Sequence, residues 1–129
     1  MKLLLDTHAL LWHALNDARL SRNARAAIAD SLNEVFVSPA TYWELAIKIS
    51  IGKLTVQQPF EDFLAACEAR FALLPIETRH TAEVARLPFP RTHRDSFDRL
   101  IISQAIVEQM SIVSADAAFD TYSSLSRIW

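Results

Sequence analysis

An α/β sandwich around a central, mainly parallel sheet is the fold this sequence predicts, on three observations. Short apolar runs alternate along the chain with longer segments of helical periodicity. Those runs are apolar at consecutive positions, as strands covered on both faces must be. The chain has 129 residues, 51% of them hydrophobic and 22% charged, enough for one domain with its own core. A single domain over 1–129 follows, with helices on either face of the sheet making three layers.

Lys2–Leu5 is the first strand and stops at Asp6. His8–Leu15 follows, with Ala9, Trp12, His13 and Leu15 at roughly helical spacing. Ser21 caps a helix expected to run through Leu32, with Ala24, Ile28 and Leu32 on one face. Val35–Val37 is the second strand. Ser38 and Pro39 read as N-cap and first helical residue, since proline's missing N–H costs nothing there. That helix carries Tyr42–Ile51 and stops at Gly52, the one glycine in the chain. Pro59 opens a helix through Arg70, with Phe60, Phe63, Leu64 and Cys67 on its apolar stripe. Leu73–Ile76 is a third strand weakened by Pro75, and Thr78–Leu87 a further helix. Pro88 and Pro90 break the periodicity and make 88–94 a loop. Asp95 starts a helix carrying Phe97, Leu100, Ile101, Ala105 and Val107 to Met110. Ile112–Val113 is the fourth strand, a short helical turn follows Asp116, and Leu125–Trp129 closes the chain as an edge strand.

Several classes of function are excluded or disfavoured. The longest apolar stretches, such as Phe63–Cys67 and Phe71–Leu74, are far too short to cross a membrane. The apolar opening ends at Asp6 without the h-region of a signal peptide. Cys67 has no partner for an internal disulfide, so a soluble cytoplasmic protein is expected. No glycine-rich phosphate loop exists, which excludes the usual nucleoside-triphosphate sites. His8 and His13 are five apart and diverge on a helix, so the histidines lack zinc-motif spacing. Trp12, Trp43 and Trp129 are expected as core or dimer contacts. A formal charge of −2 announces no global basic field. Locally, Arg79, Arg86, Arg91, Arg94 and Arg99 with His80 and His93 face only Glu83, Asp95 and Asp98. In the loop entering the Asp95 helix, His93 and Arg94 fit phosphate contact and plain solvation equally well.

Four acids stand where a parallel sheet gathers ligands, beyond the carboxyl ends of its strands. Asp6 ends the first strand and Asp116 follows the fourth. Glu44 lies within about two turns of the second strand's end, and Asp98 in the first turn of the long helix. Carboxylates brought that close repel unless neutralised, and a hard divalent cation such as Mg²⁺ or Mn²⁺ neutralises them. Each acid also has a purely structural reading. Asp6 and Asp116 can cap the helices that follow, a role worth about 1 kcal/mol each. Glu44 precedes Lys48 by four, a favourable helix ion pair. Asp95 and Asp98 fit an N-cap and an N3 carboxylate at the positive end of a helix. The residues alone leave both readings open.

The order of motifs adds a resemblance. Leu3–Trp12 (Leu-Leu-Leu-Asp-Thr-His-Ala-Leu-Leu-Trp) strongly resembles the opening of PIN domains, in particular the VapC-type toxin ribonucleases. Ser38–Lys48, His93–Ala105 and Ile112–Phe119 resemble that family's second, third and fourth acidic segments, in order and across nearly the whole chain. The resemblance implies a PIN-like three-layer sandwich in which Asp6, Glu44, Asp98 and Asp116 are catalytic and bind Mg²⁺ or Mn²⁺. It puts Thr7 and Ser114 at hydroxyl positions that orient ligands or water. Ser96 stands where relatives often carry proline, and Ala115 where some carry a basic residue. The implied activity is that of an endoribonuclease, the toxin of a type II toxin–antitoxin pair, leaving 5′-phosphate and 3′-hydroxyl ends by direct hydrolysis. Implied partners are RNA, a second copy of the chain, and a small antitoxin in the active-site groove. Arg91, Arg94 and Arg99 surround the loop and helix start that carry Asp98 and are the candidates for gripping RNA phosphates, against the reading that Arg99 pairs with an acid and the loop arginines are simply solvated. The alternative is a catalytically silent PIN-like module that binds RNA or protein. A phosphoryl-transfer fold of the haloacid-dehalogenase kind wants a second aspartate where His8 stands. A receiver domain wants an aspartate and a lysine where Glu77 and Asp116 stand.

Overall fold

The computed structural model describes residues 1–89, 93 and 95–129. Strand β1 (Lys2–Leu5) takes the centre of the sheet because Leu3, Leu4 and Leu5 are apolar toward both faces, and all three are fully buried. On one side it pairs with β2 (Glu34–Val37), Leu3 opposite Val35 and Leu4 opposite Phe36. On the other it pairs with β4 (Ser111–Val113), Leu4 opposite Ile112 and Leu5 opposite Val113. The edges are β3 (Ala72–Leu73) beside β2 and β5 (Ser126–Ile128) beside β4. The order β3-β2-β1-β4-β5 is parallel at every pairing.

The two-residue period of the strands divides the core. Leu3, Leu5, Val37 and Val113 pack with Leu10 of α1 (Thr7–Ala14), Ala24 and Ile28 of α2 (Arg22–Ala29), and Phe63 and Cys67 of α4 (Phe60–Arg70). Leu4 and Ile112 face the other way, onto Ile101, Ile102 and Ala105 of α6 (Ser96–Glu108), with Phe119 and Tyr122 beside them. Helix α5 (Thr78–Arg86) packs against α6. Helix α3 (Pro39–Ser50) supplies Leu45 to the first cluster and Ala40 to the second. The three expected layers are thus present.

Most element ends fall where cap chemistry predicts. Ser21 Oγ accepts the Ala24 N–H at 3.0 Å, and Ser38 Oγ that of Ala40 at 3.1 Å with Pro39 at the helix start. Gly52, at φ +75°, ends the α3 segment. Two expectations need correction. Helix α2 stops at Ala29, three residues before Leu32, which is 84% exposed. There Asp30 Oδ1 takes the Leu32 N–H at 2.9 Å and the Asn33 amide donates to the Ala27 carbonyl at 2.9 Å, local bonds that compete with the helical ladder. The third strand is Ala72–Leu73, shorter than Leu73–Ile76, because Pro75 has no N–H to continue it. The buried Gln104 amide caps the lost edge by donating to the Leu74 and Pro75 carbonyls at 3.1 and 3.3 Å.

From β1 the chain builds β2 and β3 to one side, then crosses to place β4 and β5 on the other. The direction reverses between β1 and β4, which opens a crevice beyond their carboxyl ends. Asp6 follows the last residue of β1, and Ser114 follows the last of β4. Among the described residues no helix is long and apolar enough to cross a membrane.

Candidate metal centre

A cleft of ≈ 270 Å³ opens at this switch point, lined by Asp6, Thr7, His8, Glu44, Lys48, Asp95, Asp98, Asp116 and Phe119. All four acids singled out in the sequence share it. Asp6 arrives from the end of β1, Glu44 from α3, Asp98 from the first turn of α6, and Asp116 from the turn after β4.

The structural roles weighed from sequence are also real. Asp6 Oδ1 accepts the Ala9 N–H at 2.7 Å and caps α1, and Asp116 Oδ1 accepts that of Ala118 at 2.9 Å at the start of the Ala117–Thr121 turn. Glu44 Oε2 pairs with Lys48 Nζ at 3.2 Å. Asp95 is the N-cap of α6, its Oδ1 accepting the Asp98 N–H at 2.9 Å. Capping uses one oxygen of a carboxylate and leaves the other for a different partner, so the two roles are compatible.

The hydroxyls hold the acids in place. Thr7 Oγ1 donates to Glu44 Oε1 at 2.7 Å. Ser114, fully buried, accepts the Asp116 N–H at 3.1 Å, and its hydroxyl favours the charged form of Asp6, so one side chain acts on the acids from two neighbouring strands.

Electrostatics register the crowding. Burial pushes the Asp98 carboxyl up to about 8, reinforced by the charges of Asp95, Asp6, Glu44 and Asp116. Burial likewise raises Asp6, against the lowering effect of its bonds from Ser114 and Ala9. Carboxylate oxygens of Asp98 and Asp116 and a ring nitrogen of His93 lie within 4.8 Å of one another. A set of hard oxygen donors carrying excess negative charge fits Mg²⁺ or Mn²⁺.

Three further side chains were not read as part of this site. His93, expected either at phosphate or in solvent, is 5% exposed and sits 3.2 Å from Asp98 Oδ2. Tyr122 lies behind it at 2.8 Å, and Lys48 lines the cleft as well as pairing with Glu44. The Tyr122 contact spans 29 residues of sequence, and no periodic pattern announces it. Of the arginines expected to grip RNA, Arg91 and Arg94 lie outside the described residues. Arg99 is described and is turned inward. It is 7% exposed, donates to the Pro88 carbonyl at 2.8 Å, and stacks over the Phe89 ring at 4.6 Å. A buried guanidinium committed to a carbonyl does not reach an RNA phosphate at the surface.

Two other places invite comparison with the cleft. Glu77, His80 and Glu108 also cluster, but His80 Nδ1 accepts the Glu77 N–H at 2.9 Å and Nε2 faces Glu108 at 3.2 Å. Arg79 neutralises both acids, and the group is accounted for as the cap of α5. A larger cavity of ≈ 750 Å³, lined by His13, Phe63, Cys67, Arg70 and Phe71 among others, contains none of the four acids. Burial pushes its Cys67 thiol up to about 11, too high for a nucleophile at neutral pH.

Comparison with known proteins places this geometry among relatives. The family described as PIN domain matches residues 3–125. No curated protein matches the sequence. Among solved structures, the chain is similar to VapBC2 from Rickettsia felis bound to a DNA fragment from its promoter, at 18% identity and TM-score 0.73, covering 98% of this chain and 97% of that one. It is similar to DNA-bound VapBC from Salmonella typhimurium at 19% identity and TM-score 0.71, covering 98% and 96%. It is also similar to FitAcB from Neisseria gonorrhoeae at 18% identity and TM-score 0.67, covering 97% and 95%. At such identities the structures establish a common fold.

Proposed function

The chain belongs to the PIN domain family, and on that premise we propose that it is a Mg²⁺- or Mn²⁺-dependent endoribonuclease and the toxin of a type II toxin–antitoxin pair. The observation that carries the reading is the convergence of Asp6, Glu44, Asp98 and Asp116 in one cleft, with the Asp98 carboxyl pushed up to about 8. Asp6, Glu44, Asp98 and Asp116 would hold the cation. A divalent cation bound there lowers the pKa of water and offsets charge on a phosphodiester. The protein's own groups prepare that chemistry. Ser114 accepts the Asp116 N–H and favours the charged form of Asp6, and Thr7 fixes Glu44. Lys48, at the same rim, offers its ammonium to a substrate phosphate once the acids are neutralised. No cysteine or activated serine lines the cleft among the described residues, which suits direct attack by water. Arg91 and Arg94 remain the sequence-based candidates for RNA phosphate contacts.

An antitoxin partner, a homodimeric state and a cytoplasmic location go with this reading. The similarity to chains from VapBC and FitAcB assemblies supports the antitoxin. The test is incubation of purified protein with mixed RNA in Mn²⁺ or in chelator. Mn²⁺-dependent fragments with 5′-phosphate ends are expected, lost in Asp6→Asn and Asp116→Asn. RNA left intact under every metal, by folded protein, would leave the silent binding module as the function. Expression of the chain alone is expected to arrest bacterial growth, and Asp6→Ala to relieve the arrest. Normal growth with abundant wild-type protein would argue against a toxin while leaving the nuclease intact.

A further inference from the structure

We propose that Arg99, Tyr122 and His93 form a one-way hydrogen-bond chain that orients the Asp98 carboxylate for a divalent cation, with His93 a positioning residue and not a ligand. The inference rests on the reading of the cleft as a cation site.

All three side chains are inside the protein, at 7%, 2% and 5% exposure. The chain begins at Arg99, pinned by its bond to the Pro88 carbonyl at 2.8 Å. A guanidinium only donates, so at 3.3 Å the Tyr122 hydroxyl oxygen must accept from it. The Tyr122 proton is then directed to its other neighbour, His93 Nδ1, at 2.8 Å. A neutral imidazole whose Nδ1 accepts carries its hydrogen on Nε2. Nε2 faces Asp98 Oδ2 at 3.2 Å, and a carboxylate serving as a metal ligand only accepts. Every link therefore donates in the same sense, from Arg99 toward Asp98.

The opposite tautomer breaks this order. With the hydrogen on Nδ1, His93 would donate to Tyr122, whose oxygen already accepts from Arg99. The buried hydroxyl proton would then have no acceptor among the contacts described for it. Ring packing keeps the imidazole in its plane: His93 stands edge-on to Phe119 at 5.1 Å and 63°, and to Tyr122 at 5.5 Å and 77°. With Oδ2 held by His93, the other oxygen of Asp98 would be left to hold the cation.

The experiment is a Mn²⁺ titration followed by the electron paramagnetic resonance of the free ion, with spin-echo modulation on the bound ion. Wild type is compared with His93→Ala, His93→Gln and Tyr122→Phe. Loss of an orienting partner typically weakens metal binding about 10–100-fold, and His93→Ala is expected in that range. Gln restores a donor near the Nε2 position, so His93→Gln should return to within about threefold of wild type. Tyr122→Phe keeps the ring packing and should weaken binding measurably. No directly coordinated imidazole nitrogen should couple to the bound Mn²⁺. Wild-type affinity in His93→Ala, a Gln variant no better than Ala, or strong nitrogen coupling each overturns the proposal. Should His93→Ala not fold, Tyr122→Phe decides, and unchanged affinity there overturns it. Failure of the wild type to bind Mn²⁺ would remove the cation site itself, and this inference with it. Binding by the wild type with unaffected variants would remove the inference alone.

Discussion

Asp95 and Asp98 stand three residues apart at the start of one helix, yet their surroundings assign them different work. Asp95 spends Oδ1 on the Asp98 backbone N–H, as an N-cap does. Asp98 turns its carboxyl to His93, where burial and neighbouring charge push it up to about 8. Asparagine caps about as well as aspartate, so Asp95→Asn should keep stability within a few tenths of a kcal/mol and leave RNA cleavage largely intact. Asp98→Asn should remove cleavage by about a hundredfold or more, since even orienting residues around a metal cost about 10–100-fold. Initial rates in Mn²⁺ at matched folding decide, and equal loss in both variants would move Asp95 into the site. At this scale the sequence was legible wherever function follows position along the chain. Asp6 and Asp116 announce themselves by standing just beyond the ends of strands, and Thr7 and Ser114 by standing near them. Side-chain direction was not legible. Arg99 sits in a basic stretch, but the Pro88 carbonyl and the Tyr122 hydroxyl decide where it points, and neither leaves a local signature.

Backbone turns end two of the elements that carry the site, and they call for opposite substitutions. Gly52 closes α3 at φ +75°, with nothing within 4 Å of where a Cβ would stand. The cost of Gly52→Ala is therefore conformational and not steric crowding by neighbours, about 1 kcal/mol. Gln109 adopts φ 56° and ψ 44° at the end of α6, a left-handed conformation that glycine takes without penalty. Gln109→Gly should stabilise the protein by about 0.5–1 kcal/mol, and urea unfolding of both variants reads the contrast. The same sign for both would mean that side-chain contacts outweigh the backbone term. The glycine could be read directly from the sequence; the left-handed glutamine could not, because its type suits an ordinary helix. The overrun of α2 to Leu32 has a related origin. Apolar spacing continues past Ala29, but the side chains of Asp30 and Asn33 capture backbone groups and end the helix first. Periodicity reports which face is apolar and is silent on these local bonds.

The whole fold brings four carboxylates to one rim, so the stability of the metal-free protein must answer to pH and to cations together. The Asp98 carboxyl stands at about 8 and Asp6 is also raised, both far above or above the ordinary aspartate value of 3.8. Above that value the native state holds protons that the unfolded chain has released, so stability falls as pH rises, through about 8. Other groups act in separate windows. Asp17, Glu108 and Asp120 are lowered by their partners and lose stability only in acid. His13 and His93 are lowered by burial, and they favour the native state increasingly as pH rises, until the unfolded histidines have deprotonated just above 6.5. The carboxylate effect therefore stands clear of the histidines between pH 7.5 and about 8.5. Across that interval in chelator the melting temperature of the wild type should fall, and that of Asp98→Asn should fall less. At the upper end Asp98→Asn should melt above the wild type, since one charge of the cluster is gone. Mn²⁺ at about a hundred times its Kd adds about 2.7 kcal/mol to the native state, worth about 10 °C in a domain of this length. The same addition to Asp98→Asn should produce a much smaller rise. A wild type whose melting temperature is flat from pH 7.5 to 8.5, or a variant with an undiminished Mn²⁺ shift, would show that Asp98 is only a helix-end carboxylate and that the cation is held without it.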